Sequence, residues 1–417
     1  MPEPSKLTPK GFRPFPFSYH EEIELEIQTL TNMGKGLART ADDWVVFIPF
    51  CLPGERVLAR IYRNEKNFSE ADLIRIISRS PERTTPRCDL FGKCGGCQYQ
   101  HLGYEHQLKW KRRQLEDLLL HMAGMKFPVL NVIPSPEQYG YRSKITPHFD
   151  RPKNGEINAI GFQRAGRRLL IDVNQCSIAH PEINEALPGV RESIRQSSVT
   201  YKKGATLLLR ADANNNLHEN PQDIAVDRVG SVEFQYPAGS FFQNNPFILD
   251  QFTNHVRKEA ASGYATHMID AYCGAGLFAL TAAPLFKSVA GIEVSEESIK
   301  WAKKNCKINS IENVQFITGK VEEFFNDINF PKAETAVVID PPRKGCSNDF
   351  LSQLFSFAPC TVVYVSCNPA TQLRDLLLFK TAGYQLAKVQ PFDLFPQTKH
   401  LECVMTFNKS PSTHAAP

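Results

Sequence analysis

Cys367 is a candidate nucleophile because of where the sequence places it. In the stretch VVYVSCNPATQLRD, a β-branched and aromatic run predicts a buried strand over 361–365, which Asn368 and Pro369 end before a helical pattern begins. Cys367 therefore lies on the turn at the carboxyl end of a parallel strand, where open α/β sheets bind their ligands. A thiolate at this edge could attack an electrophilic carbon, and its reactivity depends on a lowered pKa.

A candidate general base lies further along the chain, in FDLFPQTKHLECV. Glu402 stands between apolar Leu401 and Cys403, and apolar surroundings raise the pKa of a carboxyl and make it a better base. His400 is the alternative base. Methylation of uracil at carbon 5 needs a thiol and a base together. Thiolate addition to carbon 6 makes carbon 5 nucleophilic, and a base later removes the carbon-5 proton so that the cysteine can leave.

Acidic residues at other strand ends predict a nucleoside site. The strand in MIDAYCGAGLFAL ends at Asp270 and leads through Gly274 and Gly276 into a helix. Glu293 ends the next strand and is placed to accept hydrogen bonds from both ribose hydroxyls. This segment has neither a phosphate-cradling lysine loop nor a full G-x-G-x-x-G pattern, so S-adenosylmethionine fits better than NAD. Asp340, in VVIDPPRKG, lies at the same edge on a turn that two prolines make rigid.

Four spaced cysteines predict a metal or iron–sulfur site. The segment PRCDLFGKCGGCQYQHL has the spacing C-x5-C-x2-C through Cys88, Cys94 and Cys97, and Cys176 is the nearest downstream cysteine. Ligation by four thiolates suits zinc or an iron–sulfur cluster, and the spacing alone does not separate the two. Nearby histidines that could replace a cysteine are His101, His106 and His180.

The elements that must position these residues fall into three regions. Residues 1–80 read as short strands with tight turns, which predicts a small OB-like β-barrel. Residues 81–235 form a mixed, irregular α+β region that carries the four spaced cysteines. Residues 236–410 alternate regularly between strand and helix patterns, which predicts a doubly wound, Rossmann-like parallel sheet. The fold class is therefore α/β with two smaller preceding domains.

Composition allows a nucleic-acid partner and argues against a membrane protein. Of the 417 residues, 42% are hydrophobic and 22% charged, as in ordinary globular proteins, and the net charge of +4 permits RNA binding. The chain has no apolar run of membrane-spanning length, and its first residues lack an apolar signal core. We therefore expect a cytoplasmic protein with no membrane partner, and we expect a monomer.

One basic helical segment could contact RNA. HQLKWKRRQLEDLLLHM clusters Lys109, Lys111, Arg112 and Arg113 in about one turn, with Trp110 among them. The cations could neutralise phosphates and the indole could stack on a base. A solvated basic helix with Trp110 in the core explains the same pattern.

Several motifs together closely resemble those of a known family. DPPRKG, SCNPAT and FPQTKHLE are similar to signatures of the S-adenosylmethionine-dependent RNA (uracil-5-)-methyltransferases, and GSFFQNNP resembles the segment just before their methyltransferase domain. The resemblance covers nearly the whole chain. It implies a class I methyltransferase sheet closed by a C-terminal antiparallel hairpin, with Cys367 as nucleophile and Glu402 as proton-abstracting base. The family usually has Phe at the position of Tyr272, so a stacking ring is kept. The cofactor-binding positions implied are Gln243, Tyr272, Glu293 and Asp340.

A subgroup of that family accounts for the other two regions. Its members carry the same cysteine spacing with a distant fourth cysteine and bind a 4Fe–4S cluster, which implies that Cys88, Cys94, Cys97 and Cys176 are the ligands here. The N-terminal segments GKGLAR and VVFIPFCLPGE resemble a TRAM domain, a small RNA-binding β-barrel. The cluster would then be structural or position the RNA, without taking part in the reaction.

These observations lead us to expect an enzyme that makes 5-methyluridine in RNA. The simplest tRNA-specific relatives lack both the cluster and the TRAM domain, so 23S ribosomal RNA is the expected target, with the T-loop of tRNA as the alternative. RNA cytosine-5 methylation uses a related thiol attack but places its nucleophile in other motifs. A non-catalytic RNA-binding or assembly factor would be expected to lack Cys367, Glu402 or Asp340, and all three are present.

Overall fold

The structure is a computed structural model that describes residues 8–197, 201–319, 323, 325 and 328–410. The chain divides into two compact units. One contains the residues up to 114 together with segments 163–169 and 397–399, and the other contains the remainder. The boundaries at 80 and 235 remain sequence predictions.

The N-terminal strands form a closed five-stranded barrel with the order β1-β2-β3-β5-β4. Alternate residues of each strand point into the barrel, as the period of two along a strand requires. In β4, for example, Val57, Ala59 and Ile61 are buried. The strands are β1 (Glu22–Leu30), β2 (Lys35–Arg39), β3 (Val45–Pro49), β4 (Arg56–Asn64) and β5 (Phe68–Ser78).

The basic segment forms the helix α1 (Tyr104–Ala123). Lys111 is fully buried, so it does not face solvent as a phosphate contact would require. The indole of Trp110 donates a hydrogen bond of 3.1 Å to Glu82, and the Arg113 guanidinium lies over its ring at 5.1 Å. Lys111 therefore belongs to the core, and an RNA contact by the other cations of this segment stays a prediction.

Between α1 and the large sheet, the described residues form small sheets and two further α-helices. One sheet has the order β10-β7-β8-β9, a second has the order β12-β11-β6, and β13 and β14 form a hairpin. The elements are β6 (Lys144–Ile145), β7 (His148–Phe149), β8 (Gly161–Gln163), β9 (Leu170–Asp172), α2 (Pro181–Gln196), β10 (Ala205–Thr206), β11 (Leu209–Ala211), β12 (Leu217–His218), β13 (Ile224–Val229), β14 (Val232–Pro237) and α3 (Leu249–Ala260).

The large sheet has seven strands in the order β17-β16-β15-β18-β19-β21-β20. Strands β15 to β19 are parallel, whereas β21 runs antiparallel to both β19 and β20. The elements are β15 (His267–Ala271), α4 (Leu277–Ala282), β16 (Ser288–Glu293), α5 (Glu296–Ile308), β17 (Val314–Thr318), β18 (Thr335–Ile339), α6 (Asn348–Phe357), β19 (Thr361–Ser366), α7 (Pro369–Thr381), β20 (Tyr384–Phe392) and β21 (Glu402–Lys409).

The predicted Rossmann-like sheet, its C-terminal hairpin and the N-terminal barrel are confirmed. Every residue of β18 and β19 is buried, because a central parallel strand has both faces covered and must be apolar throughout. The strand order reverses at β15, whose neighbours are β16 and β18, so the carboxyl ends of these strands border the crevice where such sheets bind ligands. No helix within the described ranges is both long and apolar enough to cross a membrane.

Candidate active site

Cys367 and Glu402 lie at the same point of the sheet. In the antiparallel pair β19–β21, Ser366 is opposite Cys403, so the next position along this register places Cys367 opposite Glu402. Directly opposed residues of an antiparallel pair have neighbouring side chains. The strand ends here because Pro369 begins α7, and this leaves Cys367 on the turn. The predicted nucleophile and base are thus brought together.

The surroundings of this pair keep its members protonated. Burial raises the pKa of the Glu402 carboxyl well above its usual value, and the nearby Asp340 carboxylate raises it further. Burial also raises the pKa of Asp340 to about 7. The Cys367 thiol is half-buried, and burial, followed by the charges of Glu402 and Asp340, raises its pKa to about 11. A neighbouring cation lowers the pKa of such a thiol and so favours the nucleophilic thiolate.

Arg343 supplies that cation, and the sequence reasoning missed it. Its side chain lies near the Cys367 thiol and lowers the pKa of Cys367, and its positive charge also lowers the pKa of Glu402. The side chain of Arg343 is otherwise exposed. The available signal was a cation three positions after the strand-end Asp340, on a turn that two prolines make rigid.

The predicted cofactor residue Tyr272 directly follows β15, and Glu293 is the last residue of the neighbouring strand β16. Glu293 accepts three backbone N–H groups: that of Gly274 at 3.2 Å on one oxygen, and those of Val294 and Ser295 at 2.9 and 3.1 Å on the other. A carboxylate has about four lone-pair sites, so this fixed group can still accept a hydrogen bond from a ligand. Tyr272 has a left-handed backbone with φ of +67°, uncommon for a residue with a side chain.

The turn between β15 and α4 approaches the sheet closely. Gly276 has φ of +94°, and a Cβ atom there would lie 3.0 Å from the ring of Phe316. Glycine is therefore required by both conformation and space. Asp270, which the sequence reasoning identified only as a strand end, is fully buried and accepts the backbone N–H of Ala279 at 2.8 Å. Burial raises the pKa of Asp270 well above its usual value, and Asp340 adds to the effect.

The remaining predicted residues, Asp340, Gln243 and His400, lie on three separate segments of the chain. Asp340 follows β18 directly, with its backbone N–H 3.4 Å from the carbonyl of Ala271. Gln243 is half-buried and lies on the segment between β14 and α3. It is therefore not at the end of a strand of the large sheet. His400, the alternative base, precedes β21 and its ring is 6.0 Å from that of Phe395.

The four predicted cluster cysteines lie outside regular helices and strands. Cys88, Cys94 and Cys97 belong to a turn-rich segment of the first unit, and Cys176 belongs to the second unit. The backbone N–H of Cys88 donates a hydrogen bond of 3.0 Å to the side-chain oxygen of Gln100. The backbone N–H of Cys176 donates one of 2.8 Å to the side-chain oxygen of Asn184. All four are half-buried. Within the described part of the chain, no group of three or more His, Cys, Asp or Glu side chains is arranged to hold a metal ion.

Comparison with family models identifies two segments. A family described as "tRNA (Uracil-5-)-methyltransferase" matches residues 221–410, which include every strand of the large sheet. A TRAM domain matches residues 20–74, which cover most of the barrel.

Similar proteins match along almost the whole chain. A tRNA (uracil(54)-C(5))-methyltransferase of Schizosaccharomyces pombe is 40% identical, over 94% of this chain and 79% of its own length. The enzyme of the same name from Saccharomyces cerevisiae is 33% identical, over 94% and 75% of the two chains. An uncharacterized RNA methyltransferase of Halalkalibacterium halodurans is 30% identical, over 93% and 97%.

A solved structure shares the fold. The Pyrococcus abyssi tRNA (uracil-54, C5)-methyltransferase, solved in complex with S-adenosyl-L-homocysteine, superposes with a TM-score of 0.71. The match covers 92% of this chain and 100% of that one, at 22% sequence identity. At this identity the likeness concerns the fold alone.

Proposed function

The chain belongs to the RNA (uracil-5-)-methyltransferase family, and on this premise we propose that it methylates carbon 5 of uridine 54 in tRNA with S-adenosylmethionine as donor. The observation that carries the reaction is the convergence of Cys367, Arg343 and Glu402 where β19 and β21 meet. The fungal relatives named for uracil 54 of tRNA support the target. Ribosomal RNA, the target expected from the cluster and the TRAM domain, has no such support and gives way to tRNA.

Cys367 begins the reaction. Its thiolate, stabilised by the positive charge of Arg343, forms a bond to carbon 6 of the uracil while the electrons of the 5,6 double bond move to carbon 5 and its neighbouring carbonyl. S-adenosylmethionine, when bound, supplies an electrophilic methyl group. Glu402 then takes the proton from carbon 5, the double bond re-forms, and the sulfur leaves as thiolate. A carboxyl with a raised pKa suits this step because it is a stronger base once ionised.

Four residues are proposed to hold the donor. Glu293 would accept the ribose hydroxyls, since three backbone N–H groups fix its orientation in advance. Tyr272 would offer its aromatic ring to the donor. Its positive φ is a strained backbone conformation of the kind that clusters at ligand-binding and active sites. Asp340 and Gln243 are assigned to the donor by their place in the family motifs DPPRKG and GSFFQNNP.

We also propose that Cys88, Cys94, Cys97 and Cys176 ligate a 4Fe–4S cluster. The chemistry of the donor set supports this, because four thiolates suit such a cluster and two glycines between Cys94 and Cys97 allow a tight turn. The described side chains are not arranged as a metal-binding group, so the sequence spacing carries this proposal alone. Iron and sulfide analysis of protein purified without oxygen tests it, with Cys94→Ser and Cys97→Ser as the variants that should lose both.

The cytoplasmic location and the monomeric state remain predictions.

The test of the reaction is methyl transfer from labelled S-adenosylmethionine to tRNA and to ribosomal RNA, each prepared without uracil-5 methylation. We expect 5-methyluridine at position 54 of tRNA, and none in a tRNA whose uridine 54 is replaced by cytidine. Product in ribosomal RNA alone would keep the reaction and overturn the target. Methylated cytidine would show that the chain is a cytosine-5 methyltransferase. If neither RNA were methylated, the alternative of a non-catalytic RNA-binding factor would be favoured.

A further inference from the structure

Asn368 occupies the N-cap position of α7, but its side chain does not cap the helix. It immediately precedes α7, and asparagine is a preferred residue there because its side-chain oxygen can accept a backbone N–H of the first turn. In this protein the Asn368 side chain makes no such bond. Its amide nitrogen instead donates to the carbonyl of Arg343 at 3.0 Å. The side chain is therefore committed to the neighbouring loop and not to its own helix.

Two residues of α7, Thr371 and Arg374, hold the same loop. Thr371 donates through its hydroxyl to the carbonyl of Arg343 at 3.3 Å, the acceptor that Asn368 also uses. Arg374 donates to the carbonyls of Lys344 and Cys346, both at 3.3 Å. The three donors are spaced by three residues, so they lie along one face of the helix. This face fixes the backbone on either side of Gly345.

The last contact ties the loop to the core of the sheet. Asp375 accepts the backbone N–H of Cys346 at 3.0 Å and the hydroxyl of Tyr364 at 2.7 Å. Tyr364 lies within β19 and is fully buried, so this end of the loop is anchored to a rigid strand. The loop is thus held at both ends, by Asn368 and Thr371 at Arg343 and by Asp375 at Cys346.

We propose that Asn368 is a positioning residue that keeps the Arg343 guanidinium against the Cys367 thiol before substrate binds. Arg343 is exposed and has a long, flexible side chain, so solvent would otherwise compete for it. Anchoring its backbone limits where the guanidinium can reach. Asn368 follows Cys367 directly, so nucleophile and anchor move together with the first turn of α7. This role rests on the function proposed above, in which Cys367 is the nucleophile.

The test measures the thiol directly. Cys367 is alkylated with iodoacetamide over a range of pH, and its modification is followed by mass spectrometry of the peptide that contains it. Below the thiol pKa the rate follows the thiolate fraction, so Asn368→Ala should slow alkylation at pH 8 by roughly three- to tenfold. Thr371→Val, which removes the other donor to Arg343, should slow it in the same direction. Thr381→Ala is the matched control, because Thr381 is exposed at the far end of α7 and bonds only within the helix in the described contacts, at 3.0 Å to Leu377.

A double-mutant cycle separates positioning from general structural damage. If Asn368 acts through Arg343, Asn368→Ala should slow alkylation no further in an Arg343→Ala background. With tRNA as substrate, kcat should fall by a similar factor while KM stays within about twofold. A wild-type alkylation rate in Asn368→Ala, or an equal loss in both backgrounds, would overturn the proposal. Alkylation needs neither RNA nor donor, so failure of wild-type methylation would count against the proposed function and not against this role.

Discussion

Cys367 and Glu402 lie next to Ser366 and Cys403, the last paired residues of β19 and β21, although α7 and β20 separate them in sequence. The pairing of β19 with β21 therefore brings nucleophile and base to the same end of the sheet. Because both residues lie at strand ends, they combine a rigid support with access to a ligand at the sheet edge.

Replacing the nucleophile should abolish methylation. We expect Cys367→Ala to lower the rate by roughly a thousandfold or more, because carbon 5 of uracil has no other route to activation. Binding of tRNA, measured by filter retention, should change little. The matched control is Cys360→Ala, which removes a thiol at the opposite end of β19, where it bonds to the carbonyl of Thr335. Normal turnover by Cys367→Ala would refute the mechanism.

Replacing the base should trap an intermediate. In Glu402→Gln the methyl group can still be transferred, but the carbon-5 proton is not removed and the cysteine stays bound to the RNA. A protein–RNA adduct that survives denaturing electrophoresis should therefore accumulate with about one labelled methyl per adduct. Glu334→Gln, which changes an exposed glutamate just before β18, should not form it. Free product at the normal rate from Glu402→Gln would assign the base role to His400 or to water.

Removing the cation should move the pH dependence of the reaction. Arg343 lowers the pKa of the Cys367 thiol, so in Arg343→Ala the thiolate should form at higher pH than in the wild type. We expect activity at neutral pH to fall roughly three- to tenfold and the loss to shrink as the pH rises, since solvent screens an exposed cation. Lys344→Ala is the control, because it removes an exposed cation from the next position of the same loop. An unchanged pH profile in Arg343→Ala would exclude this role.

The sequence predicted the large sheet and the strand-end residues well, for physical reasons. The apolar runs that became β18 and β19 are buried on both faces, so their composition alone identified them. Cys367, Asp340 and Glu293 followed from the rule that parallel strands end at one edge. Arg343 was missed because its role depends on a contact between two loops, which no period in the sequence reveals. The burial of Lys111 was missed because the charge pattern of a helix does not show which face packs.

Gly345 should resist substitution more than a glycine of the same conformation elsewhere. Both Gly345 and Gly383 have φ near +80°, so alanine at either costs about 1–2 kcal/mol of strain. At Gly345 the added Cβ would also lie 2.7 Å from the Arg374 guanidinium and 2.9 Å from the Asp375 carboxylate, whereas nothing lies within 4 Å at Gly383. We therefore expect Gly345→Ala to lower the free energy of unfolding by about 1 kcal/mol more than Gly383→Ala. If denaturant unfolding gave equal losses of unfolding free energy for the two variants, the side chains of Arg374 and Asp375 would be able to move aside at little energetic cost.

The carboxyl of Asp340, which is half-buried, should make stability depend on pH. Its pKa rises from 3.8 to about 7 on folding, so between these values the folded protein holds a proton that the unfolded chain releases. The stability from this proton is complete below about pH 4 and is lost as the pH rises through 7. Asp340→Asn cannot titrate and also removes the charge that raises the pKa of Glu402.

Relative to the wild type, the free energy of unfolding of Asp340→Asn should therefore increase between pH 4.5 and 8 by on the order of 2 kcal/mol. Denaturant unfolding at several pH values measures this difference. If the free energy of unfolding of Asp340→Asn relative to the wild type did not change with pH, Asp340 would be ionised in the folded protein at neutral pH. The negative charge would then lie permanently beside Cys367, and Arg343 would have to offset it before the thiol could react.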